Sequence, residues 1–269
     1  MIKKIIISLG LLAIIIVILF GMFLNWAKNP YGLEAERIGP KGDEELPQIL
    51  PVQNAKNYLL YSKYENNSSV IHFPLPNEYT HPSNTTNRIS KTYAVPATVY
   101  YPEINGKFHP DNAGLPKCNG WCGGYMRIFV EPGKTAKEIN NRIFKRLQKE
   151  RLENSELRVF EDLDSEFGLD EHFQIRFPVI EKKSDGKKYA TDEYFIKRGS
   201  SGELINLIEC SPYTPSPGCK VKFNLSSHPE ILVSVTFGRH LMDEWENIIG
   251  ATDKKITSWG LTKVSTLVK

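Results

Sequence analysis

The first marked pattern along the chain is an apolar run without a charge. Positions 5–24 read IIISLGLLAIIIVILFGMFL. A helix of that length, rising about 1.5 Å per residue, would cross a hydrocarbon layer of roughly 30 Å. The residues that follow, NWAKNP, contain no small-x-small cleavage site, so the run predicts an uncleaved anchor rather than a signal peptide. Lys3 and Lys4 precede it, and the positive-inside rule then keeps Met1 in the cytoplasm.

The region after the anchor predicts a tether. Residues 27–55 combine prolines, glycines and mixed charge without apolar periodicity, which is typical of a linker. We therefore expect an anchor at 1–26, a tether at 27–55 and a folded part beyond it. In a bacterium this predicts a single-pass protein of the inner membrane, with a cytoplasmic N-terminus and the bulk of the chain in the periplasm.

Beyond the tether, short apolar and aromatic runs alternate with turn residues, which predicts strands. NYLLYSKY, SVIHFPL, KTYAVPATVYYPEI and GYMRIFVEPG come first. A second series runs from ELRVFED to ILVSVTFGR, broken by turn sequences such as KSDGKK, GSSG and TPSPG. The second series has the spacing of an antiparallel meander.

Two segments change to a helical period. Ile139, Ile143 and Leu147 recur every four residues, which predicts an amphipathic helix over about 135–152. Leu241 and Trp245 begin a second apolar stripe in the segment 240–260.

The fold class that we predict is α+β, with antiparallel sheets and two amphipathic helices after one N-terminal transmembrane helix. The folded part divides into an α+β half at 56–155 and a second half at 156–269 that ends in the C-terminal helix. Strand, cysteine pair, strand and helix occur in this order in both halves, so a duplicated two-domain layout and a single domain both remain open.

Four cysteines, at 118, 122, 210 and 219, lie in the part predicted to be exported. An oxidising compartment favours two disulfides. The spacings C-x3-C and C-x8-C match neither paired zinc knuckles nor the C-x-x-C of redox enzymes. Among the three connectivities we expect Cys118 with Cys122 and Cys210 with Cys219, because sequence neighbours close small loops without help from the rest of the fold.

Charge and motifs exclude several classes of function. Lys and Arg number 34 against 31 Asp and Glu, for a net charge of +3, which is too small a basic excess for a nucleic-acid surface. The six histidines show no metal-ligand spacing; a site of His72, His81 and His109 with Asp111 can be drawn, but the default is scattered loop histidines. Nucleophile-elbow, P-loop and dinucleotide motifs are missing from the sequence, so it predicts no catalytic residue, metal or cofactor.

An acidic run is the most distinctive polar feature. Residues 160–173, FEDLDSEFGLDEHF, carry six carboxylates without a lysine among them. The spacing does not fit a helical calcium loop, so a solvated linker and a surface that steers a basic partner are the remaining readings. The second reading assigns partner contacts to Asp162, Asp164, Glu166, Asp170 and Glu171.

Trp121 lies inside the loop between Cys118 and Cys122. An aromatic ring on a stapled, exposed turn would be a pre-organised anchor for a partner. The same ring could instead fold back onto the core, and both interpretations remain open.

The C-terminal third carries a resemblance. A strand ending at Cys210, a second cysteine at Cys219 before a strand, the sequence V-x-V-x-F at 233–237 and a helix with Leu241 and Trp245 resemble the type VI secretion immunity proteins of bacterial envelopes. The resemblance covers about 70 residues by motif, and the long acidic insert departs from it.

That resemblance implies an activity of stoichiometric binding. Such a protein occludes a cognate secreted toxin, for example a phospholipase or a cell-wall-active effector, without catalysis or a cofactor. The alternatives are an envelope enzyme such as a hydrolase, which would need a cleft with converging carboxylates or a serine–histidine pair, and a structural subunit of a cell-envelope complex.

Overall fold

The computed structural model describes residues 50–62, 70–79, 89–112, 123–133, 135–153, 158–176, 191–211 and 217–264. They belong to the compact unit Glu44–Lys269. The predicted anchor, Cys118, Trp121 and Cys122 lie outside the described residues. Within the described ranges, no helix has the length and apolar character needed to cross a bilayer.

The described residues form mostly β-structure. Thirteen strands and two α-helices are present in these ranges, with short 3-10 turns at Asn77–Tyr79, Pro110–Asn112 and Arg239–Glu244. The helices are α1 (Ala136–Leu152) and α2 (Trp245–Thr257). The strands are β1 (Ala55–Tyr61), β2 (Val70–Pro76), β3 (Ser90–Thr92), β4 (Val95–Tyr100), β5 (Asn105–Gly106), β6 (Tyr125–Pro132), β7 (Val159–Leu163), β8 (Glu171–Arg176), β9 (Thr191–Arg198), β10 (Leu204–Ser211), β11 (Gly218–Asn224), β12 (Ile231–Gly238) and β13 (Thr262–Val264).

The predicted α+β class is therefore wrong. The 3.6-residue periodicity of the two helices is the clearest signal in the sequence, and it indicates a larger helical share than the fold has. In the structure they serve as covers on a sheet system that supplies most of the regular elements. Nor does the described part contain the long apolar helix that the predicted class included.

A nine-stranded sheet is the framework, in the order β5-β4-β6-β12-β11-β10-β9-β8-β7. Strands β7 to β12 are each paired antiparallel with the next in sequence, which confirms the predicted meander. The β12–β6 pairing then joins the meander to β4 and β5. Strands on both sides of residue 155 thus share one sheet, while the proposed division into halves stays a prediction.

A smaller sheet has the order β13-β2-β1-β3. Its apolar residues, including Phe73 and Leu75, join those of the large sheet in one continuous core. Trp245, Ile248 and Ile256 of α2 belong to the same cluster. The small sheet and α2 therefore bury one face of the large sheet.

Helix α1 covers part of the opposite face. Thr135 is its N-cap and forms a capping box with Glu138, since each residue accepts the other's backbone N–H at 3.1–3.2 Å. Leu147 packs with Phe173, Ile196 and other residues of β8, β9 and β10 in a second core. The helix starts one residue inside the predicted range and ends where predicted.

The Cys210–Cys219 disulfide is confirmed. The two cysteines are directly opposite each other in the β10–β11 pair, and both are buried in the main core. The bond thus fixes the register of a central hairpin rather than an exposed loop.

We expect replacement of Cys210 and Cys219 by alanine to lower the free energy of unfolding by about 2–3 kcal/mol, because the bond closes a loop of about ten residues in the unfolded chain. Urea denaturation measures this loss. Adding a reductant to the unmodified protein should move its midpoint towards that of the double variant. Equal midpoints for the oxidised protein and the double variant would contradict the expectation.

A buried histidine links two strands of the small sheet. His72 Nε2 lies 2.8 Å from Asn57 Oδ1, and the Asn57 amide nitrogen donates to the Val52 and Ala55 carbonyls. Burial lowers the pKa of His72 below its ordinary 6.5. The neutral ring, with hydrogen on Nε2, satisfies the asparagine oxygen.

We expect this histidine to make the fold less stable in mild acid. The unfolded chain protonates His72 near pH 6.5 and the folded chain only at lower pH, so the stabilisation is complete above 6.5 and is lost as pH falls from there. His72→Gln keeps a donor to Asn57 but cannot titrate. Thermal unfolding at pH 7.5 and about pH 5 should show a smaller decrease in Tm for the variant, and an unchanged decrease would contradict this role.

Candidate functional site

A groove of about 500 Å³ lies between the C-terminal half of α1 and the strands at one end of the large sheet. Its volume falls within the range of ligand and anchor-residue pockets. Its lining residues are Phe144, Leu147, Gln148, Arg151, Leu152, Phe160, Glu171, Phe173 and Arg198.

The floor of the groove is aromatic. Phe160 of β7 and Phe173 of β8 have ring centroids 6.3 Å apart, and Phe173 stacks on Tyr194 of β9 at 5.3 Å. They share a face because Phe173 is paired with Tyr194 and lies diagonally across from Phe160 in the β7–β8 register. At the mouth, Leu152 is 86% exposed. The groove thus offers apolar area that the described residues leave partly open to solvent.

Arg198 forms a fixed wall. Its Nε donates to Glu171 Oε1 at 2.5 Å, its Nη1 donates to the Gly202 carbonyl at 2.9 Å, and its guanidinium lies 5.3 Å from the centre of the Phe144 ring. The hydrogen bond to Glu171 raises the pKa of Arg198 above its ordinary value. A guanidinium held by three partners loses little freedom when a protein docks against it.

The acidic run is largely neutralised by arginines that lie outside it. Asp162 pairs with Arg151 of α1, and Glu161 pairs with Arg176 at the end of β8. Glu171 pairs with Arg198 as described, and Asp170 Oδ2 accepts the Arg198 backbone N–H at 2.7 Å.

Asp164 and Glu166 differ from the other four carboxylates. Both are exposed in the turn after β7, and within the described ranges neither side chain forms an ion pair. Of the six carboxylates, Asp164 and Glu166 are thus the two to which the described residues offer neither an ion pair nor a backbone hydrogen bond. The role of the acidic run in binding a partner stays a prediction, as does that of Trp121.

Sequence reasoning did not identify the groove itself. The signal was present in α1, where Phe144 and Leu152 extend the apolar stripe of Ile143 and Leu147 beyond one narrow face. To predict that this stripe faces Phe160 and Phe173, one must know the order of the strands in the sheet, and the sequences of short strands do not reveal that order.

The candidate histidine site is not assembled in the parts described. His72 is hydrogen-bonded to Asn57 in the small sheet. His109 follows β5 at one edge of the large sheet, and its Nε2 lies 3.5 Å from Glu78. His81 is outside the described residues. Across the described ranges, no group of three or more metal-binding side chains is arranged to hold an ion.

A serine–histidine contact does occur, in the turn between β11 and β12. His228 Nδ1 lies 3.0 Å from Ser227 Oγ, which also shares a hydrogen bond with Thr257 of α2. Asp253 binds Ser226, through both its backbone N–H and its hydroxyl, and not the histidine. A nucleophilic triad places the carboxylate on the second ring nitrogen of the histidine. This network ties the turn to α2 and does not have triad geometry.

Comparison with known proteins adds one structural likeness. No family model and no curated protein matches the chain. Among solved structures, the chain is similar to an immunity protein of the Stenotrophomonas maltophilia type IV secretion system. The identity is 12% and the TM-score 0.45, over 78% of this chain and 94% of that one. Similarity at this level transfers neither an activity nor a partner.

Two arginines of the site provide a matched test of the groove wall. The side chain of Arg198 is 29% exposed and that of Arg176 is 59% exposed, and each pairs with one glutamate. We expect Arg198→Ala to lower the free energy of unfolding by about 1–2 kcal/mol, because Glu171 and the Gly202 carbonyl lose a donor. Arg176→Ala should cost less than about 1 kcal/mol. Urea denaturation of both variants measures the difference, and equal losses of unfolding free energy would show that Arg198 is held no more firmly than an exposed ion pair.

Proposed function

We propose that the chain is an immunity protein that binds a secreted toxin stoichiometrically and blocks its action. The observation that carries the proposal is the apolar groove at the end of the large sheet, with its aromatic floor and fixed arginine wall. Protein interfaces concentrate their binding energy in such aromatic and arginine positions, surrounded by a polar rim.

The groove suits a protein partner for energetic reasons. Phe160 and Phe173 are held by the sheet, and Arg198 is held by three partners, so docking would immobilise few additional side chains. Leu152 at the groove mouth is exposed in the described structure, and a docked partner would remove its apolar surface from water. Binding of this kind requires complementarity rather than catalytic geometry, and we propose occlusion rather than an enzymatic reaction.

We further propose that the protein acts in the periplasm. The Cys210–Cys219 disulfide supports an oxidising compartment. The toxin would then be an effector that attacks phospholipid or cell wall, as the sequence resemblance to type VI immunity proteins implies. The uncompensated carboxylates Asp164 and Glu166, close to the groove, would steer a toxin whose contact surface is basic.

The test is capture followed by neutralisation. The full-length chain, expressed with an affinity tag in its own cells, serves as bait, and each captured protein is then expressed in a susceptible strain with and without the chain. We expect one captured secreted protein to be toxic and to lose its toxicity when the chain is present. Capture of proteins that are harmless, or of a toxin that the chain does not neutralise, would overturn the proposal.

A pair of leucines tests whether the groove is the contact. Leu152 at the groove mouth and Leu50 at the start of the described chain are 86% and 90% exposed. We expect Leu152→Lys to weaken toxin binding by about tenfold or more, since a charge replaces buried apolar area, and Leu50→Lys to leave it unchanged. Lysine also suits the last turn of α1, so the fold is kept. Equal affinities of the two variants, measured by calorimetry, would exclude the groove as the contact.

A further inference from the structure

The free edges of the two sheets are unequal. β3 and β13 at the edges of the small sheet have three residues each, and β5 at one edge of the large sheet has two. The segment around β5 is also covered, because Phe108 donates its backbone N–H to the Glu78 carbonyl at 2.9 Å. β7 at the other edge has five residues, and in the described part of the chain it pairs with β8 alone. β7 is thus the longest edge strand that the described sheets leave unpaired on one side.

The groove is continuous with this edge. Phe160 and Asp162 of β7 point to the face that α1 covers, because they alternate with Glu161 and Leu163 along the strand. A strand added outside β7 would lie about 4.8 Å away, and every second side chain of it would extend the floor formed by Phe160. Leu152 of α1 lies at this mouth. An added strand would therefore gain backbone hydrogen bonds and an apolar pocket together.

A second copy of this chain brings no uncommitted basic residue to the acidic turn. Antiparallel pairing of two β7 strands over all five residues places Arg158 of one copy opposite Asp164 of the other, but Arg158 is already paired with Glu150. Glu161 lies opposite Glu161 in the same pairing, and each is paired with its own Arg176. A heterologous strand with its own basic residues therefore fits the edge better than a second copy.

The charges near the edge indicate which end of an added heterologous strand should be basic. Arg151 and Arg176 neutralise Asp162 and Glu161 in the body of β7, whereas Asp164 and Glu166 beyond its C-terminal end are exposed and uncompensated among the described residues. Every neighbouring pair in the large sheet is antiparallel, and antiparallel pairing is slightly the more stable arrangement. In such a pair the amino end of the added strand lies beside that acidic turn. An occupant with an apolar body and a basic amino end matches both features.

We propose that the outer edge of β7 accepts an extended segment of the partner as an added antiparallel strand, with alternate apolar side chains in the groove and a basic amino end beside Asp164 and Glu166. This rests on the proposed function, since it names the way in which the toxin is recognised. Main-chain hydrogen bonds supply affinity in this mode, and the groove supplies specificity.

The probe is a short synthetic peptide with two lysines at its amino end, followed by alternating valine and threonine. Amide hydrogen exchange of the isotope-labelled full-length chain is followed by NMR at millimolar peptide. Because every second residue of a paired strand directs its N–H towards the added strand, we expect alternate amides of β7 to gain protection. A matched peptide with glutamates in place of the two lysines should bind about tenfold more weakly.

A variant assigns the charge effect to the acidic turn. In Asp164→Asn combined with Glu166→Gln, the two peptides should bind equally, since the carboxylates that discriminate between them are gone. Lack of alternate protection in β7, or equal affinity of the two peptides for the unmodified chain, overturns the proposal.

The outcome separates this inference from the proposed function. If the captured toxin is neutralised but the peptide leaves the β7 amides unprotected, recognition at the strand edge is wrong and the immunity function stands. If the amides gain protection and no captured toxin is neutralised, the edge is a binding surface and the immunity function is wrong.

Discussion

The antiparallel pairing of β6 with β12 is the interaction on which the rest of the structure depends. Its register runs from Met126 opposite Phe237 to Pro132 opposite Ile231, and it joins two parts of the chain about a hundred residues apart. Without it the large sheet would separate into a meander and a small unit of β4 to β6, each with an open edge. The pairing creates the wide apolar face on which the small sheet and α2 pack.

Both sides of that large sheet are used, and in different ways. One face is buried along its length by the small sheet and α2, which makes it a conventional core. On the other face α1 covers the end formed by β7 to β10, and it leaves the groove where its last turn passes over the edge of the sheet. The candidate site thus lies where α1 stops covering the sheet. The sheet, rather than the surrounding loops, makes it rigid.

Local features of the fold could be predicted from the sequence, and non-local ones could not. Thr135 with Glu138 and the four-residue spacing of Ile139, Ile143 and Leu147 define α1 almost to the residue, because a helix is specified by its own sequence. The Cys210–Cys219 pair was predictable for the same reason. The partners of the acidic run were not, since Arg151, Arg176 and Arg198 reach it only through strand order and helix packing. The α+β class was wrong because the sequence shows that two helices exist but not that they only cover sheets built from the great majority of the regular elements.

The pairing of β13 with β2 has a consequence for the order in which the chain becomes structured. Thr262 of β13 lies opposite His72 of β2, almost two hundred positions earlier. A chain synthesised from its N-terminus presents β1 and β2 long before residues 262–264 are available. Until then the edge of β2 that pairs with β13 has no partner strand. The β7–β12 meander can form as it is synthesised, because each of its strands pairs with the next. The small sheet is therefore the last part of the described fold to be completed, on a face that the meander already provides.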